Sequence, residues 1–137
     1  MCGILVVFKK SHEPNLELLD RRGPDERGYF ANEDIYMGHT RLSIVHPESG
    51  AQPILFKNWV LVVNGELYNA KPDAKETDCH MLIQLIHAHG PDALPSMDGI
   101  FSFVAYHTPT KRVVIGRDPI GVTPLYWSET TVSSLLA

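Results

Sequence analysis

Only one long stretch of this sequence, DCHMLIQLIHAH (78–89), repeats its apolar residues at helical spacing. The other apolar runs are short and rich in β-branched and aromatic residues. That imbalance constrains the fold more than any single motif does. Many strands with one good helix make an α+β domain.

GILVVF (3–8) is a continuous apolar run, as expected of a strand buried on both faces. RGYF (27–30) and IYMGHT (35–40) flank the polar turn ANED and predict a hairpin. PILF (53–56) and WVLVVN (59–64) predict a second hairpin around Lys57-Asn58. IFSFVAYH (100–107) and KRVVIGRD (111–118) are joined by TPT, and PLYW and TVSSLL add strand-like sequence near the end. Thr77 is placed to cap the helix, Asp78 lies in its first turn, and Gly90 stops it. Met81, Leu82, Leu85 and Ile86 are its expected core face. NLELLD (15–20) predicts about two further helical turns before RRGPDERG breaks the pattern.

A chain of 137 residues is one ordinary domain, and at 44% hydrophobic it has enough apolar sequence for a core. The net charge of -4 and the absence of a basic stripe exclude an electrostatic case for nucleic acid. The run 3–8 is too short for a signal or a membrane span, and Lys9-Lys10 ends it. Cys2 and Cys79 form neither a disulfide framework nor a zinc motif of the usual spacing. These features predict a cytoplasmic protein with no membrane partner.

Four places carry candidate chemistry. Cys2 follows the start methionine, and excision of Met1 would put a thiol and a free α-amine on one residue. Such an amine has a pKa of roughly 7.7–8.0 and can serve as base for its own side chain. Equally, a cysteine there suits a small buried position at the head of a strand. Asn64-Gly65 supplies an amide and a backbone N–H that can converge on one oxygen, or else a hairpin turn. Arg41 suits a bidentate carboxylate clamp, or a solvated surface. Asp78 suits a partner for a substrate ammonium, although the helix dipole favours an acid there anyway. His87 and His89 share a helix without further ligands nearby, so no metal site is expected. His39, His107 and Cys79 read as structural.

Taken in order, MCGI, RRGPDERG, GHTRLSIV, AQP, VVNGELYN, TDC, DGIFSFVAY and GRDPIGVTPLY resemble the class II glutamine amidotransferase domain. The resemblance is greatest to the glutaminase half of asparagine synthetases and covers nearly the whole chain. It implies an N-terminal-nucleophile hydrolase fold, an αββα sandwich of two mainly antiparallel sheets. The short segments KKSHEPNLELLD and AKPDAKE predict reduced helical layers. A single glutaminase domain over 1–137, with no synthetase or ATP-pyrophosphatase domain, is expected.

The same resemblance implies roles for individual residues. Cys2 is the nucleophile, and Asn64 and Gly65 form the oxyanion pair. Arg41 holds the α-carboxylate of L-glutamine and Asp78 its α-ammonium. Ile44 and Glu66 line the pocket, while Arg22-Gly23 belongs to a loop over the cysteine. No cofactor is implied. The ammonia released implies a synthetase-type acceptor, as a separate subunit or within a homo-oligomer. A catalytically silent module that retains the fold, and an amidase for another amide, are the alternatives.

Overall fold

A computed structural model of the chain describes residues 1–8, 14–43, 50–71, 76–128 and 133–136. Nine strands form two antiparallel sheets among these residues. The first sheet runs β2-β3-β1-β9-β8, and the second β4-β5-β6-β7. The first sheet's strands are β1 (Gly3–Phe8), β2 (Glu26–Ala31), β3 (Ile35–Arg41), β8 (Tyr126–Ser128) and β9 (Ser133–Leu136). The second sheet holds β4 (Ile54–Phe56), β5 (Trp59–Leu67), β6 (Gly99–His107) and β7 (Arg112–Arg117).

The period of two along each strand decides which sheet face every side chain joins. Ile4, Val6, Ile35 and Met37 meet Val60, Val62, Val104 and Tyr106 in a core between the sheets. The intervening residues point outward. On the second sheet Trp59, Leu61, Val63, Phe101, Phe103 and Ala105 pack beneath the helix α1 (Asp78–His89). On the first sheet Leu5, Val7 and Tyr36 are covered by Leu16 and Leu19.

The two outer layers are unequal. The α1 helix buries Leu82, Ile83 and Ile86, each of which contributes about 1.5–3 kcal/mol by leaving water. Ile83 joins the expected Leu82 and Ile86 in the core, Leu85 packs against it partly buried, and Met81 is partly buried outside that cluster. The 3-10 segment Gly90–Ser96 continues that layer. On the other side the expected two helical turns reduce to one 3-10 turn, Leu16–Leu19, capped by the Asn15 side chain. Tyr29 accordingly stays exposed, stacked on Tyr36 at 5.7 Å.

Three local devices set the registers. Asn32 Oδ1 accepts from the amides of Asp34 and Ile35, closing the β2–β3 turn at 3.0 Å in each case. Gln52 donates to Val63 O at 3.0 Å and accepts from Val63 N at 2.8 Å, so a side chain serves the edge of β5. Asp118 accepts from the amides of Phe101, Ile120, Gly121, Val122 and Thr123 and from the Thr123 hydroxyl. Although burial alone would raise its pKa, the amides of Val122, Thr123 and Gly121 prevail and hold it at about 2. Asp118 thereby fixes the turn after β7 to the start of β6.

No helix among the described residues is long and apolar enough to cross a membrane.

Candidate active site

The core between the sheets is dry over most of its length and turns polar at one end. On β3 the inward series Ile35, Met37 continues to His39 and Arg41. On β5 the inward series Val60, Val62 continues to Asn64, and on β6 Tyr106, Val104 continues to Ser102. Asn64 and Ser102 are directly paired across the ladder. β5 is also the strand that packs across the sandwich against β1 and β3. Cys2 stands just before β1, at this same polar end.

The thiol of Cys2 is held by the end of β3. Its Sγ lies 3.5 Å from the amide N and 4.0 Å from the carbonyl O of Leu42. The loop after the 3-10 turn closes over it from the other side, with Arg22 Nε donating to Cys2 O at 3.1 Å. Asp25 clasps the same strand end, donating to Arg41 O at 3.0 Å and accepting from Ser43 N at 2.7 Å. Gly23 fits because a Cβ there would come within 2.2 Å of the Thr40 backbone. The structure thus brings Cys2, Arg22, Gly23 and Arg41 together.

Arg41 is buried, which removes the surface reading. Its Nη1 meets Glu26 Oε2 at 3.1 Å, and the Gly50 backbone lies against its guanidinium. A buried guanidinium needs such partners, since an isolated charge in the interior is costly.

Asn64 and Gly65 do not form a hairpin turn, nor do they end the strand. β5 runs on to Leu67, and Gly65 pairs with Phe101 inside the ladder. Gly65 has φ +148°, and a Cβ would stand 2.0 Å from Ile100 O, so no other residue fits. Glu66 is exposed where the strand leaves the sandwich. Asp78, at the first turn of α1, accepts from Leu67 N at 2.7 Å and so joins the helix to this strand. Ile44 lies outside the described residues.

Among the described residues, four buried polar atoms have no hydrogen-bond partner: Arg22 Nη2, His39 Nε2, Asn64 Nδ2 and Ser102 Oγ. Buried groups of this kind are rare and need an explanation. Three of them lie on the facing inner surfaces at the polar end, and the fourth belongs to the residue bonded to Cys2. Asn64 Nδ2 is a pure donor, so any partner it takes is an acceptor.

Ser102 escaped the sequence reading, and His39 was read there only as structural. Both stand in phase with apolar core residues, His39 with Ile35 and Met37, Ser102 with Val104 and Tyr106. A polar residue at core parity is the signal that marks them. Burial, reinforced by the neighbouring Arg41 charge and opposed by the Val63 backbone, lowers the His39 pKa to about 4. His39 is therefore neutral at pH 7. Cys79 is kept a thiol by burial first, then by the charges of Asp78 and Cys2, and its Sγ donates to Asp78 Oδ1 at 3.8 Å. His87 sits edge-on to Phe56 at 5.6 Å, with Lys57 Nζ 3.1 Å from its Nε2. His107 meets Thr110 Oγ1 at 2.7 Å. Among the described residues, no group of three or more His, Cys, Asp or Glu is arranged to hold a metal ion.

Two antiparallel sheets face to face, with helical cover outside each, give the αββα sandwich of the N-terminal-nucleophile hydrolase fold. Within that class the chain belongs to the glutamine amidotransferase domain family, whose family model matches residues 1–137. It is 40% identical over 146 aligned residues to the glutamine-hydrolysing asparagine synthetase of Asparagus officinalis. The corresponding figure is 39% for asparagine synthetase 1 of Arabidopsis thaliana and for the asparagine synthetase of Zea mays. Each alignment takes in 92% of this chain and 25% of the relative, so the chain spans about a quarter of these proteins' length.

Proposed function

We propose that residues 1–137 act as one glutaminase unit that hydrolyses the side-chain amide of L-glutamine to glutamate and ammonia. The observation that carries this reading is the unpartnered Nδ2 of buried Asn64, facing the sheet whose first strand begins beside Cys2. A preorganised donor with no ground-state partner suits an oxyanion that exists only during reaction. Family membership and the glutamine-hydrolysing relatives support the same reaction.

With Met1 excised, the Cys2 α-amine takes the thiol proton. The thiolate then forms a bond to the δ-carbon of glutamine. Asn64 Nδ2 and the Gly65 N–H donate to the oxygen as it becomes an oxyanion. The C–N bond breaks, the nitrogen takes the proton from the α-ammonium, and ammonia leaves a γ-glutamyl thioester. Water, losing its proton to the amine, attacks that thioester. The C–S bond breaks and the thiol is restored.

Arg41 binds the substrate α-carboxylate and Asp78 its α-ammonium. Ile44 and Glu66 line the approach, and Arg22 with Gly23 holds the backbone of Cys2. The ammonia passes to a synthetase-type active site, in the same polypeptide or in another subunit. The exposed side chains of Ile120, Val122, Tyr126 and Trp127 suit contact with such a partner.

Hydroxylamine tests the thioester. With glutamine present, the purified chain should form γ-glutamyl hydroxamate at the expense of glutamate. Failure to form hydroxamate while glutamate is still released would contradict the covalent route. Failure to release either product would favour the silent module.

A further inference from the structure

We infer that Glu26 is a built-in competitor for the substrate α-carboxylate, stabilising the free chain while weakening its hold on the amino acid. The inference rests on the glutamine reading above and adds a residue that reading does not use.

Glu26 and Arg41 are direct partners across the β2–β3 ladder, so their side chains share the inward face. Their contact, Oε2 to Nη1 at 3.1 Å, joins unequal environments. The Arg41 side chain is 6% exposed and that of Glu26 is 47% exposed. The guanidinium is committed to the interior, whereas the carboxylate can turn into water at little cost. Arg41 is followed at once by Leu42, whose amide contacts the Cys2 sulfur. An α-carboxylate binding at this guanidinium therefore arrives where Glu26 already stands. Either Glu26 leaves, and its contact with Arg41 is lost, or two carboxylates crowd one cation and repel.

The two roles that Glu26 can play predict opposite signs. A residue that only orients Arg41 would, when removed, weaken substrate binding along with stability. A competitor would, when removed, take one carboxylate partner from Arg41 in the free state and leave its Nη1 open to substrate. Stability and affinity then move in opposite directions. The effect is confined to ligands that carry the α-carboxylate.

Calorimetric titration separates the cases. The full chain is prepared as Cys2→Ala and as Cys2→Ala with Glu26→Gln, so that ligand is not consumed. The probes are L-glutamine and L-glutamine α-amide. Glu26→Gln should tighten L-glutamine binding about five- to tenfold, leave the α-amide unchanged, and lower the ligand-free melting temperature. Glu26→Asp, which keeps the charge on a shorter stem, should give an intermediate gain and serves if the Gln variant does not fold. Weaker or unchanged glutamine binding overturns the inference, as does an equal gain for the α-amide. If neither protein binds glutamine although both melt cooperatively, the glutamine reading itself fails and the inference fails with it.

Discussion

Asp78 Oδ2 accepts the Leu67 amide at 2.7 Å, which ties the first turn of α1 to the strand that carries Asn64 and Gly65. The carboxylate thus has a structural bond beside its proposed role toward the substrate ammonium. The two contributions separate by substitution. Asp78→Asn keeps an acceptor for Leu67 but removes the charge. It should melt near the parent while KM for glutamine rises about tenfold or more. Asp78→Ala should show the same KM defect and lose a further ~1–2 kcal/mol in urea denaturation.

Asn64 should behave in the reverse manner. Its Nδ2 is buried without a partner, so the free protein gains nothing from that donor. Asn64→Ala should therefore leave stability unchanged or raise it slightly. The rate of glutamate release should fall about 10²–10³-fold, mainly in kcat. Steady-state kinetics beside thermal melting of the same samples reads both effects.

Acid should weaken the fold in two separable windows. The His39 pKa is lowered to about 4 from an ordinary 6.5, so between those values the unfolded chain binds a proton that the folded chain refuses. Stability falls as pH drops through that window. Its width is about 2.5 pH units at ~1.4 kcal/mol each, which caps the loss at roughly 3.5 kcal/mol. Asp118 is depressed to about 2 from 3.8, so its contribution is complete above the higher value and disappears as pH falls towards the lower. Urea titrations from pH 7 to 2 should show His39→Gln flattening the upper window alone and Asp118→Asn the lower alone. Asp118→Asn should also cost about 3 kcal/mol at neutral pH, because an amide NH₂ would replace one acceptor oxygen among six donors.

The strands were legible in the sequence because β-branched runs broken by polar turns announce themselves locally. The helix was legible as well, with most of its face, but Ile83 was missed. Ile83 belongs to the core because α1 lies across β4 and β5, and that crossing is a tertiary fact. Asn64-Gly65 carried a turn signal that the pairing of Gly65 with Phe101 overrides. The Glu26–Arg41 pair was invisible, since it depends on a register set by the Asn32 turn four residues beyond β2's inward-facing centre at Gly28 and on the lengths of both strands. The polar end of the core, with His39 and Ser102, emerges only when three strands are brought into phase.

The most direct test of the central claim is glutamate release from L-glutamine by the parent chain and by Cys2→Ala, measured side by side with intact mass of both proteins. The parent should lose Met1 and release glutamate, while Cys2→Ala remains folded and releases none above background. Equal rates from the two proteins would contradict it.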